Sequence, residues 1–174
     1  LFLHEAIPGH HYQISLQQEN KSLPSFRKSL WYSAYGEGWA LYSESLGKEL
    51  GLYEDPYQYF GMLSAEMHRA IRLVVDTGIH TKGWSREKAI EYSLENEAES
   101  EASIISEIER YMANPGQALS YKIGQLKILQ LRKKAENELG ENFNIKIFHR
   151  KVLESGCIPL ELLEDKIDRW INSF

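Results

Sequence analysis

Asp55-Pro56-Tyr57-Gln58-Tyr59-Phe60-Gly61-Met62-Leu63-Ser64-Ala65-Glu66-Met67-His68-Arg69-Ala70-Ile71-Arg72-Leu73-Val74 reads as the opening of one long helix. Asp55 suits the N-cap, and Pro56 suits the first helical position, where a missing N–H costs nothing. Leu63, Met67, Ile71 and Val74 recur at helical spacing, and the run extends to about Thr77-Gly78. The same period continues outward in both directions. Upstream, a helical stretch over 2–19 is interrupted at Pro8-Gly9, and a turn at 22–25 leads into a helix from Ser25 to about Leu50, stopped by Gly51. Downstream, 80–83 reads as a loop and Trp84-Ser85 caps a helix over 86–96. The acid-rich 95–109 reads as a solvated helix face. Asn114-Pro115-Gly116 breaks the chain before a helix from about Ala118 to Leu139, and shorter helices follow over 145–155 and 159–172. Period-2 alternation is absent, and the one β-flavoured patch, 144–148, is short and charged. The expectation is a single all-α domain covering 1–174.

Composition bounds the function. A chain of 174 residues and 20.2 kDa fits one domain, and 43% apolar with 26% charged residues is ordinary for a globular protein. A net charge of −5 argues against nucleic acid or an anionic membrane as the main partner. Cys157 stands alone, which excludes a disulfide framework and a cysteine-based zinc site. No apolar stretch is long enough to span a bilayer. The chain opens on Leu1-Phe2-Leu3-His4-Glu5, without Met and already inside a motif-bearing segment. The expectation is that an N-terminal portion of the same protein precedes it and packs against it. The compartment is left open.

The segment His4-Glu5-Ala6-Ile7-Pro8-Gly9-His10-His11 carries the chemistry. In a zinc-binding H-E-x-x-H helix the two histidines lie one turn apart, with the Glu facing the reacting water. Here Pro8 occupies the position four after His4. In an unbroken helix His11 would share the face of His4 but lie about 10 Å along the axis. Pro8 cannot donate to the His4 carbonyl, and it pushes Ile7 away from helical geometry. A distortion there loops out two residues and returns His10 to the ligand position. His10 and His11 both stay open as the second ligand, and a kinked helix with incidental histidines is the plain alternative. Glu37 is the third candidate. It lies between Gly36 and Gly38 in an apolar helix, and each glycine costs about 1 kcal/mol there, which calls for close helix packing. A buried carboxylate calls for a cation. Glu44, two turns on, reads as a group that orients a ligand or lies at the surface.

These residues, with Glu37-Gly38-Trp39-Ala40-Leu41-Tyr42, Leu73-Val74-Val75-Asp76-Thr77-Gly78-Ile79-His80, Gly83-Trp84-Ser85 and Pro115-Gly116-Gln117-Ala118-Leu119-Ser120-Tyr121-Lys122-Ile123-Gly124-Gln125-Leu126, resemble the bacterial domain of unknown function 885 over essentially the whole chain. The resemblance implies the C-terminal catalytic portion of a longer protein. That family in turn resembles helical gluzincin peptidases such as thimet oligopeptidase, angiotensin-converting enzyme and the thermostable carboxypeptidases. This implies a helical gluzincin-like domain, with the metal motif on the first helix and the Glu ligand on the second. It implies one Zn2+ held by His4, His10 and Glu37, with Tyr121 and His80 stabilising an oxyanion and Asp76 either orienting a histidine or serving a turn. Arg110 and Lys122 are candidates for a substrate carboxylate, with solvated surface charge as the simpler reading. The expected function is a zinc-dependent metallopeptidase-like hydrolase of short peptides with Glu5 as general base. Two rivals stand beside it. One is a catalytically inactive helical fragment or interaction module without stoichiometric metal. The other is a ferritin-like di-metal bundle, which needs Glu-x-x-His pairs that this chain lacks.

Overall fold

The computed structural model describes all 174 residues, and every regular element in it is helical. The ten α-helices are α1 (Phe2–Glu5), α2 (His10–Glu19), α3 (Ser25–Lys28), α4 (Ser33–Ser45), α5 (Pro56–Lys82), α6 (Arg86–Asn96), α7 (Glu101–Ala113), α8 (Ser120–Leu139), α9 (Ile145–Leu153) and α10 (Leu160–Ile171). Caps follow the local signals. The side chains of Asp55, Ser85, Ser100 and Asn144 each accept a backbone N–H at the first turn of α5, α6, α7 and α9.

Helix α4 ends at Ser45, short of the Leu50 expected, and three further boundaries differ for a tertiary reason. The run over 2–19 opens wider than a kink: residues 6–9 leave the helix, and α1 and α2 are separate elements. The expected helix from Ser25 to Leu50 splits into α3 and α4, because the buried Gln17 amide donates to the carbonyls of Arg27 (2.8 Å) and Leu30 (2.9 Å). Those carbonyls gain a partner outside the helix ladder. Helix α5 runs past Gly78 to Lys82, so His80 lies in its last turn rather than in a loop. The stop is Gly83, at φ 64°, with the Trp84 N–H returning to the Gly78 carbonyl at 3.0 Å.

The contacts cluster into two compact units. The first comprises Leu1–Leu46 and Ile123–Phe174. Its core packs Tyr35, Trp39 and Tyr42 of α4 against Ile128 and Leu131 of α8, Phe148 and Val152 of α9, and Leu163, Ile167 and Trp170 of α10. Within it α4 and α8 approach closely at Gly38 and Gly124, where an alanine Cβ on Gly38 would fall 2.4 Å from the Gly124 Cα. The second unit, Gly47–Lys122, packs Ile71 and Val75 of α5 against Ala89 of α6, Ile104, Ile108 and Tyr111 of α7, and Ala118. No helix is long and apolar enough to cross a membrane.

Candidate metal centre

The candidate centre lies in the first unit and draws on three helices: His4 from α1, His10 from the first position of α2, and Glu37 from α4. The assignment of the motif to a first and second helix is therefore corrected, because Pro8 and the Gln17 staple each divide what reads as one helix. The segment 6–9 shapes the site. Gly9 packs directly onto α1, where a Cβ would fall 1.9 Å from the His4 carbonyl oxygen and 2.4 Å from that of Leu3. The Pro8 carbonyl accepts the Trp39 indole N–H at 2.7 Å, and the Tyr12 N–H returns to the Ala6 carbonyl at 3.3 Å. The Ala6 and Pro8 carbonyls of the looped-out backbone thus find partners.

The donor atoms of His4, His10 and Glu37 all lie within 4.8 Å of one another. Glu37 Oε2 is 3.1 Å from His10 Nε2 and 3.6 Å from His4 Nε2. The two imidazole rings meet edge-on, at 87° between planes and 4.9 Å between centroids. His4 is buried, and its Nδ1 is 2.7 Å from Glu44 Oε1. A carboxylate can only accept, so Nδ1 carries a proton, and Nε2 turns toward Glu37. His10 Nδ1 is also buried but has no hydrogen-bond partner. Burial would raise the Glu37 carboxyl, but hydrogen bonds with His10 and His4 outweigh it and hold the group at about 2.

Two imidazoles and a carboxylate are donor types that a small divalent cation can take. Zinc bonds of about 2.0–2.1 Å at tetrahedral angles place neighbouring donor atoms about 3.3–3.4 Å apart, and the two Glu37 separations bracket that spacing. Two imidazoles and a carboxylate also leave a fourth position for water. His11, one residue on, is exposed and outside this cluster, so His10 is the histidine that α2 brings to Glu37. Glu5 is exposed at the end of α1, beside His4. The glycines flanking Glu37 have packing roles: Gly38 meets Gly124, and Gly36 lies under the Trp31 ring, which also stacks near His10 at 5.7 Å. Pro8 and Trp39 further line an open groove of about 820 Å3 with Ile7, Tyr12, Leu16 and Leu153.

The remaining candidates belong to the second unit. His80 is exposed, and its Nε2 donates to the Tyr111 carbonyl at 3.0 Å. The Tyr121 hydroxyl accepts from Gln117 Nε2 at 3.4 Å, and its ring faces the Arg72 guanidinium at 4.6 Å. Asp76 is buried and accepts the Gly116 N–H at 3.1 Å, which is the turn role. Arg110, with its side chain 38% exposed, bonds Glu107 and Gln117, and the less exposed Lys122 pairs with Glu66. Sequence reasoning missed the Trp39 clamp, which left one local trace: Trp39 lies two residues after Glu37 on the same helix.

No curated protein matches the chain. Among solved structures, a putative lipoprotein from Colwellia psychrerythraea is 50% identical with a TM-score of 0.96 over 98% of this chain, and a putative lipoprotein of unknown function from Shewanella oneidensis is 27% identical with a TM-score of 0.85 over 94%. The chain spans 29% of the first protein and 30% of the second, under a third of either. The sequence model of one bacterial family matches residues 1–167, nearly the full length. With the helical fold and the ordered motifs, that match places the chain in the family of bacterial proteins of unknown function called DUF885.

Proposed function

We propose that the chain carries the zinc centre of a metallopeptidase-like hydrolase acting on short peptides. The observation that supports this best is the convergence of His4, His10 and Glu37 within 4.8 Å, with His4 oriented by Glu44. His4 Nε2, His10 Nε2 and a Glu37 oxygen would hold the ion. When bound, zinc supplies Lewis acidity toward a carbonyl oxygen and brings the pKa of water toward 7. Glu5, which follows His4 in the chain and is exposed, is the general base of this reading. It takes the proton of the attacking water and returns it to the leaving amine. Tyr121 and His80 are the oxyanion donors that the family resemblance implies, Tyr121 through its phenolic O–H and His80 through the N–H that the Tyr111 carbonyl otherwise takes. The groove beside Pro8 and Trp39 offers an apolar wall to a peptide side chain.

The test is the zinc content of the purified chain by elemental mass spectrometry, with His4→Ala and Glu37→Ala alongside, followed by a screen of short peptides with Glu5→Gln as the catalytic control. About one zinc per chain, lost in both ligand variants, with peptide cleavage abolished by Glu5→Gln, is the expected result. The second reading, an interaction module without metal, draws on the exposed Leu1, Phe2 and Ile7 beside the motif. It gains if the chain takes up no zinc after incubation with the ion.

A further inference from the structure

Helix α5 carries two guanidinium groups that the second unit leaves partly unpaired. Arg72 is 6% exposed. Its Nε donates to the Tyr111 hydroxyl at 2.9 Å and its Nη2 to Glu107 at 2.7 Å, while its Nη1 is buried without a partner. Arg69 lies one turn earlier. Its Nη1 donates to the Ala65 carbonyl at 3.3 Å, and its Nε is buried without a partner. Both groups face one ring, that of Tyr121, at 4.6 Å from Arg72 and 5.8 Å from Arg69.

The neighbouring acids cannot supply what is missing. Glu107 Oε2 already receives Arg72, Arg110 and the Tyr111 hydroxyl, and its Oε1 receives Arg110. Glu97 is taken by His68, and Glu66 by Lys122. Buried cationic N–H groups without acceptors are costly, and an arriving anion removes that cost. A group with two acceptor oxygens can place one on each of the two orphan nitrogens, Arg69 Nε and Arg72 Nη1, which is the form of a carboxylate.

We propose that Arg69 and Arg72, whose guanidinium groups face the Tyr121 ring, form a carboxylate-binding site in the second unit, and that it takes the free C-terminus of a peptide. The peptide identity rests on the peptidase reading; the carboxylate chemistry rests on the unpaired guanidinium nitrogens alone. This site supersedes Arg110 and Lys122 as the seat of a substrate carboxylate, since both are engaged by protein partners.

The test is isothermal titration of the full chain, stripped of metal on a chelating resin so that binding is read without turnover. The probes are N-acetyl-dialanine, its C-terminal amide and inorganic phosphate. The free acid is expected to bind at least about tenfold more tightly than the amide, which corresponds to about 1.4 kcal/mol. Arg69→Gln is expected to abolish that preference, and Arg72→Lys, which keeps the charge but not the planar fork, to reduce it. Circular dichroism checks that each variant folds. Equal binding of acid and amide, or a preference that survives Arg69→Gln in a folded protein, would overturn the site. Phosphate binding more tightly than the acid would overturn its carboxylate assignment. A preference for the acid in a chain that takes up zinc but cleaves no peptide would keep this site and sink the peptidase reading.

Discussion

Gly9→Ala tests the geometry on which the candidate centre depends. Gly9 has φ −72°, outside the left-handed region, so the effect of an alanine is one of contact. The added Cβ would fall 1.9 Å from the His4 carbonyl oxygen, 2.4 Å from that of Leu3 and 2.5 Å from the His4 carbonyl carbon, all backbone atoms. To reach even 3.0 Å, α1 and the start of α2 must separate by at least 1.1 Å. His4 and His10 lie on opposite sides of that contact, and the His10–Glu37 hydrogen bond is 3.1 Å. A shift of this size takes the pair beyond hydrogen-bond reach. Overpacking of this kind costs about 1–3 kcal/mol, or a fall of roughly 1 M in the urea midpoint. Zinc affinity is expected to fall at least as far as when a ligand's supporting contact is lost, about 10–100-fold. Urea unfolding followed by circular dichroism reads the first effect, and competition with a chromophoric chelator reads the second. An unchanged midpoint together with undiminished zinc affinity would refute the claim that Gly9 sets the distance between the histidines.

Gly61→Ala is the matched control: Gly61 is exposed inside α5 with nothing near its absent Cβ, so the substitution should stabilise the chain by about 0.5–1 kcal/mol in the same urea assay. Trp39→Phe keeps a buried ring but strands the Pro8 carbonyl, and should cost about 1–3 kcal/mol while loosening zinc binding. Burial would raise the Glu107 carboxyl, but hydrogen bonds from His68 and Arg110 and the Arg72 charge hold it far below 4.5. Its contribution to stability is therefore present above pH 4.5 and lost as the pH falls, and Glu107→Gln should flatten the acid limb of a stability–pH curve. His68 has the opposite sign. Burial lowers it, Glu107 and Glu97 more than restore it, and its contribution is complete below pH 6.5 and lost as the pH rises through the raised value, a limb that His68→Gln should remove. Burial pushes the Cys157 thiol up to about 11, so a thiol reagent at pH 8 should label the native chain slowly and the urea-unfolded chain at once; equal rates would contradict the packing around it.

How far the sequence carried depended on whether a signal was local. Helix α6 is read to its ends because Ser85 caps it and the period stops with it. The end of α5 is misread because Gly78 looks like a stop. It is instead a packing glycine: a Cβ there would fall 2.5 Å from the Trp84 ring, and the stop lies five residues later at Gly83. The split between α3 and α4 was illegible, since its cause is the side chain of Gln17, at least eight residues away on another helix. At the site, the residue types and spacing named His4, His10 and Glu37, but His10 and His11 could be separated only by the path of residues 6–9. The Arg69 and Arg72 nitrogens were beyond reach, because their lack of partners is a property of the packed second unit. Arg72 meets Glu107 and Tyr111 across 35 and 39 residues.

The broken motif makes sense once the backbone hydrogen bonds are followed through. In an H-E-x-x-H helix the second histidine is positioned by the ladder itself, and every carbonyl between the two histidines is satisfied within one turn. Two extra residues and a proline remove that guarantee, so the chain needs outside support where the ladder fails. Helix α4 provides it at two points: Glu37 reaches His10, and Trp39, two residues on, takes the Pro8 carbonyl. The same helix then reaches back to α1 through Glu44 and His4. Glu37, Trp39 and Glu44 therefore act on both sides of the break. The distance between the histidines is set by α4 and by the bare Cα of Gly9, rather than by helical periodicity. That is why a strict motif search fails on this chain while the donor atoms still meet.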